Sequence, residues 1–185
     1  MKLPRFNEAS YAHFVTTKTF QNKPLFKDET CCEILLKDIN FYRNELGFKL
    51  IGYVIMPDHL HLIVWWDVEE QKGLTISKVM HGIKGLSAQN LSRHILGSRG
   101  VSASTNSQGT KALATPGKKR VLKIWQPSFY NFNIYSNKKL QQKLDYMHQN
   151  PVRAKLCENA DDWAWSSCVF YQNGKRGKIV LDTIY

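Results

Sequence analysis

Residues 48–66, FKLIGYVIMPDHLHLIVWW, decide the fold. Two runs of β-branched and aromatic residues flank Pro57-Asp58, a dipeptide suited to a tight turn, so the stretch is expected to form a β-hairpin. Along a strand, residues two apart point to the same side. His59 and His61 therefore project together, while Leu60, Leu62 and Val64 face the other way. A run this apolar belongs in the middle of a sheet whose two faces are covered. Two imidazoles side by side suit a shared divalent ion, although two polar residues on a solvated face have the same pattern. They fall short of the four closed ligands of a structural zinc centre. An open site with a third ligand from elsewhere, completed by substrate oxygens, fits better.

Outward from the hairpin, residues 11–19 (YAHFVTTKT) predict a strand, and 28–46 carry apolar residues at helical spacing with Gly47 as a stop. Residues 75–95 predict a helix weakened by Gly82 and Gly85. Residues 97–120 hold no aromatic residue and are rich in Gly, Ser, Ala and Thr, which predicts a flexible basic loop. A fourth strand is expected over 121–134, then a helix from the Ser136-Asn137 cap to about Gln149. Asn150-Pro151 breaks the line and starts a shorter helix. The order strand, helix, hairpin, helix, strand, helix predicts an α+β, ferredoxin-like sandwich, an antiparallel sheet with helices mainly on one face. The whole chain, 1–185, is expected to be one domain, with a helical tail over about 151–185.

The composition narrows the function. The 185 residues are 43% hydrophobic and 22% charged, ordinary values for a globular protein. No run approaches about 18 apolar residues, so no membrane span is expected. The start, MKLPRFNEAS, lacks the apolar core of a secretory signal, which predicts a cytoplasmic protein. Cys31, Cys32, Cys157 and Cys168 form no C-x-x-C pair and are read as reduced packing residues. The net charge of +11 is unevenly spread. Residues 1–67 carry 8 basic and 8 acidic groups, whereas 111–155 carry 10 basic against 1 acidic. That basic segment interleaves Trp125, Phe129, Tyr130, Phe132 and Tyr135. Cations for phosphates and aromatic faces for unstacked bases compose a single-stranded nucleic-acid groove. A solvated basic helix beside a half-buried strand has the same composition.

Within that segment, LQQKLDYMHQNPVRAKL puts Tyr146 on a helix with Asn150 four residues on, on the same face. A tyrosine hydroxyl titrates near 10 and attacks a phosphate only if that phosphate is polarised; it can then form a covalent intermediate. Two plainer readings stand beside this. Leu140, Leu144 and Met147 can form an apolar stripe that includes Tyr146, and Asn150 can be an N-cap with Pro151 at N1.

YVIMPDHLHLIVWW, KGLSAQN, IWQPSFYN and LDYMHQNPVRAKLCENADDWAWSS, in that order, resemble the single-tyrosine HUH transposases, and within them the REP-associated tyrosine transposase (transposase-17-like) family. The resemblance runs from about Tyr11 to Tyr171. It implies a ferredoxin-like HUH fold and a metal-dependent enzyme that nicks and rejoins single-stranded, hairpin-bearing DNA. His59 and His61 match the pair that binds Mg²⁺ or Mn²⁺, Tyr146 the nucleophile, and Asn150 the third metal ligand. The tyrosine of such enzymes attacks a DNA phosphate, leaving a 5′-phosphotyrosine and a free 3′-OH that a later attack can rejoin. Lys84 matches a family Lys-Gly position and is expected at a phosphate; Lys118, Lys119, Arg120, Lys123, Trp125 and Arg153 are the other expected DNA contacts. The implied partner is hairpin DNA, including REP hairpins, in a nucleoid-associated cytoplasmic setting; related enzymes occur as dimers and as monomers, so a homodimer stands as one of two open states.

The sequence departs from the family at Phe129-Tyr130-Asn131-Phe132, where many relatives read Phe-Tyr-Asp-His, and at Asp58, where Asn is also common. Asp58 can tune His59 or serve the turn. The rival readings are a replication-initiator or relaxase-type HUH nickase, a domesticated non-catalytic binder of structured DNA, and a small-molecule metallohydrolase. The last leaves the basic segment unexplained.

Overall fold

The computed structural model of the chain describes residues 11–98 and 122–182. Four strands, β1 (Ala12–Lys18), β2 (Lys49–Met56), β3 (His59–Trp65) and β4 (Tyr130–Ile134), form one antiparallel sheet in the order β2-β3-β1-β4. The hairpin closes with Met56 opposite His59, and the apolar β3 is central, as its composition requires. The helices are α1 (Glu29–Leu46), α2 (Ile76–Ser98), α3 (Asn137–His148), α4 (Asn150–Arg153) and α5 (Cys168–Asn173). This is the expected α+β sandwich.

Local chemistry sets the helix ends. The Asp28 carboxylate accepts the Thr30 N–H at 2.9 Å and caps α1, and Gly47, in the left-handed region at φ 69°, ends it. Ser136 caps α3 by accepting the Lys139 N–H at 3.3 Å. Gly82 lets α1 and α2 approach closely, since a Cβ there would lie 2.5 Å from the Tyr42 ring. That close approach is the reason a poor helix former sits inside α2.

Strand alternation divides the core. Val15, Leu60, Leu62 and Val64 face α1 and α2, the two longest helices, with Leu35, Ile39, Val79 and Ile83. Phe14, Ile63 and Ile134 face the other way, where α3 seats Leu140, Leu144 and Met147. A register shift between Leu50 and Gly52 changes the alternation in β2, so Leu50 and Tyr53 share the first face and Ile51 and Val54 the second. His59 and His61 lie on the α3 side.

Three boundaries differ from expectation. The tail expected to be helical over about 151–185 is, among the described residues, helical only at α4, a 3-10 turn over Ala160–Asp162 and α5. β4 spans only Tyr130–Ile134, and residues 122–129 form no regular strand. They run beside the end of β1 through single contacts: a Thr19–Trp125 bridge, Phe20 N to Ile124 O at 2.6 Å and Gln126 N to Lys18 O at 2.9 Å. Pro127 has no N–H to continue that ladder. Residues 97 and 98 belong to α2 rather than to the expected loop. The rest of that stretch, with Lys118, Lys119 and Arg120, lies outside the described residues. No helix among the described residues is long and apolar enough to cross a membrane, and all four cysteines are free thiols.

Candidate active site

His61 is 3% exposed and held from three sides. Its Nδ1 lies 2.8 Å from Oγ1 of Thr16, its partner across β1, and its Nε2 lies 3.1 Å from Nδ2 of Asn150. Phe14 stacks on the ring at 5.4 Å between centroids. These contacts on both ring nitrogens fix the plane of the imidazole, with Nδ1 toward β1 and Nε2 toward Asn150. Burial, above all, and then the neighbouring charges of His59, Lys143 and Lys18 pull the His61 pKa down to about 3. The ring is therefore neutral at ordinary pH, the form in which a histidine can ligate a metal.

His59 follows the same logic. Its ring lies 4.8 Å from that of His61, and its Nδ1 is 2.6 Å from Oδ1 of Asp58. A carboxylate on Nδ1 fixes the tautomer and leaves Nε2 as a donor atom. Asp58 thus orients His59 while it also serves the turn.

α3 and α4 deliver the other two groups. Leu140, Leu144 and Met147 point into the core, but Tyr146 does not join that stripe; it is 43% exposed. Its ring packs edge-on against Phe14 at 6.0 Å and His61 at 5.9 Å. Asn150 makes no side-chain cap for α4; its carboxamide turns to His61 instead. The structure brings His59, His61, Tyr146 and Asn150 together, and adds Arg153, whose guanidinium lies 5.4 Å from the Tyr146 ring centroid.

Lys143 belongs to this group and is absent from the residues expected there. Its ammonium lies 4.3 Å from the Phe132 ring, 4.9 Å from Phe14 and 5.9 Å from Tyr146. Its position three residues before Tyr146, on the same helical face, was the available signal. Thr16 had none, because only the β1–β3 register pairs it with His61.

Lys84, Lys123 and Trp125 form a second group along α2. The Lys84 ammonium donates to the carbonyls of Gln126, Pro127 and Ser128 at 2.7, 3.3 and 3.1 Å, and burial lowers its pKa. It pins the 126–128 segment instead of standing free for a phosphate. Trp125, expected to offer a face to bases, is 6% exposed and donates its indole N–H to Ser87 at 2.9 Å. The aromatic surface is used in the core. Lys123 is exposed and sits over the Phe20 ring at 4.4 Å.

The donor set of the first group fits a hard-to-intermediate divalent ion. Two imidazole nitrogens and a carboxamide, whose oxygen and nitrogen exchange places on a half-rotation, leave coordination positions open for phosphate oxygens. Each imidazole also has its second nitrogen occupied, the arrangement that orients a ligating histidine.

Comparison with known proteins places this geometry in context. A family model described as "Transposase IS200 like" matches residues 7–101, which include β1, the histidine hairpin and all of α2 but neither Tyr146 nor Asn150. A REP-associated tyrosine transposase of Escherichia coli (strain K12) is 32% identical over 59 residues, which span 32% of this chain and about a third (34%) of that relative. Among solved structures, a REP-associated tyrosine transposase bound to a REP hairpin is similar with a TM-score of 0.63 at 19% identity, covering 100% of this chain and 91% of that one. A transposase-like protein of Deinococcus radiodurans has a TM-score of 0.49 at 17% identity, covering 80% of this chain and 97% of that one.

Proposed function

The chain belongs to the IS200-like transposases, and from that premise we propose that it is a metal-dependent DNA strand transferase whose nucleophile is Tyr146. The observation that carries the reading is the convergence of an exposed tyrosine on two oriented histidines and an asparagine from a separate helix. His59, His61 and Asn150 would hold Mg²⁺ or Mn²⁺. When bound there, the ion supplies Lewis-acid polarisation of a phosphate.

The other steps belong to the chain's own side chains. Phe14 and His61 pack edge-on against the Tyr146 ring, which stays exposed to an incoming strand. The hydroxyl oxygen attacks the phosphorus of a DNA phosphodiester, and the P–O3′ bond breaks. The products are a 5′-phosphotyrosine and a free 3′-OH. Attack by a 3′-OH on the phosphotyrosine reverses the exchange, so the strand is rejoined without an external energy source. Lys143 and Arg153 put two cations beside the tyrosine, where they attract the phosphate and offset its developing charge.

The proposed substrate is single-stranded DNA carrying a hairpin, in line with the REP hairpin held by the structural relative. Lys123, and beyond the described residues Lys118, Lys119 and Arg120, are proposed as further backbone contacts. The protein would act at the nucleoid, with a homodimer as a further proposal.

Incubation of labelled hairpin oligonucleotides with Mn²⁺ tests the reading. Wild type is expected to cleave and to carry label through a denaturing gel, and Tyr146→Phe to bind without cleaving. Tight binding with no cleavage by either protein would point to a binder of structured DNA instead.

A further inference from the structure

A second set of ligand-type side chains lies on the opposite side of the sheet, at the junction of α1 and α2. Asp28 is the residue before α1, Cys31 is in its first turn, and His94 comes from the C-terminal half of α2. Both other groups are aimed at one carboxylate oxygen. His94 Nε2 lies 2.9 Å from Asp28 Oδ2, and Cys31 Sγ lies 3.6 Å from the same atom. Oδ1 is used in capping Thr30, so Oδ2 is the oxygen turned to the cluster. The carboxylate oxygen, thiol sulfur and imidazole nitrogen all lie within 4.8 Å of one another.

We propose that Asp28, Cys31 and His94 bind a zinc-type transition-metal ion that ties the start of α1 to the C-terminal turns of α2. The spacing is right for the chemistry. Ligands at zinc's usual bond lengths stand about 3.3–3.8 Å apart at the corners of a tetrahedron. The Cys31–Asp28 distance of 3.6 Å falls in that range, the His94–Asp28 pair at 2.9 Å would open by about 0.4 Å, and the third pair, within 4.8 Å, would close on the ion. Cys31 and Asp28 share one side of the helix start because they are three residues apart, an N-cap and the N3 position.

Donor type selects the ion. Sulfur with imidazole and carboxylate favours Zn²⁺ or Co²⁺ over Mg²⁺ and Ca²⁺, which prefer oxygen alone. Cys31 is 2% exposed, whereas the side chains of His94 and Asp28 are 25% and 49% exposed. The cluster is thus closed on the thiol side and open on the other, which gives an ion a path in and leaves a fourth position for water. Three protein ligands from two helices, far from Tyr146 in chain and on the other face of the sheet, make this a structural clamp independent of the DNA chemistry.

Co²⁺ separates this site from the histidine hairpin, because only a thiolate ligand produces a sulfur-to-cobalt charge-transfer band. The full-length protein, stripped with chelator, is titrated with Co²⁺ and then with Zn²⁺. Wild type is expected to develop the near-ultraviolet band at one equivalent, to lose it on Zn²⁺ addition, and to gain a higher thermal midpoint with Zn²⁺. Cys31→Ser and His94→Gln should both lose the band at that stoichiometry. The second variant, at a half-exposed position, covers the case in which the buried serine disturbs folding. Cys157→Ser and the double variant His59→Ala/His61→Ala should keep it. Absence of the band in wild type, or a band unaltered in either Cys31→Ser or His94→Gln, would overturn the proposal.

Discussion

Thr16 illustrates how much of the active site depends on a single neutral hydroxyl. It bonds Nδ1 of His61 and holds the ring with Nε2 toward Asn150. Thr16→Val keeps a β-branched residue in the strand but removes that hydroxyl. Loss of such a supporting partner typically weakens metal binding about 10–100-fold. Calorimetric titration with Mn²⁺ should show that loss with an unchanged circular dichroism spectrum; undiminished affinity would mean that Thr16 does not orient the ligand. The histidine pair itself was legible in the sequence, since strand alternation is local and places residues 59 and 61 on one face. Thr16 was not, because it lies 45 residues from His61 and only the sheet register brings them together. Trp125 was misleading for a related reason. An aromatic residue in a basic stretch looks the same in sequence whether it faces a base or Ser87.

At the level of elements, α3 is the support of the chemistry. Leu144, 1% exposed, holds the helix to the sheet two residues before Tyr146. Leu144→Ala should cost about 2–5 kcal/mol in urea unfolding, through lost transfer energy and the cavity left behind. The end of α3 is also acid-sensitive. His148 bonds Ser167 Oγ at 2.8 Å, and burial lowers its pKa from 6.5 to about 4 against the opposing charge of Asp145. The unfolded chain takes up this proton near pH 6.5 and the folded chain only near 4. Stability is therefore full above the first value and falls as pH drops toward the second, by about 3 kcal/mol from this residue. Urea midpoints at neutral and mildly acidic pH should separate for wild type and converge in His148→Gln. The stop at Gly47 and the cap at Ser136 were readable because capping chemistry is local. The limits of β4 were not. Whether residues 122–129 pair as a strand depends on Lys84 drawing three carbonyls toward α2, a contact more than 40 residues away in sequence.

Over the whole molecule, the net charge of +11 acquires a location. Residues 1–67 are neutral in sum and build most of the sheet, while the basic segment supplies the helix that carries Tyr146. Lys143 and Arg153 flank the tyrosine, so their joint replacement by glutamine should weaken hairpin binding and flatten its salt dependence. Each lost phosphate contact lowers the slope of log affinity against log salt by about 0.7 for a single strand. Fluorescence anisotropy over a salt series should give a slope smaller by about 1.4 in the double variant; an unchanged slope would place the phosphates elsewhere. The central claim is that the covalent bond to DNA forms at Tyr146, and peptide mapping tests it most directly. Trypsin cuts after Lys143 and Arg153, and the fragment between them, LDYMHQNPVR, contains Tyr146 as its sole tyrosine. Mass spectrometry of the trapped wild-type adduct, after nuclease trimming, is predicted to find the nucleotide mass on that fragment and on Tyr146 within it. A nucleotide mass on any other residue, or cleavage with no adduct at all, would contradict the account.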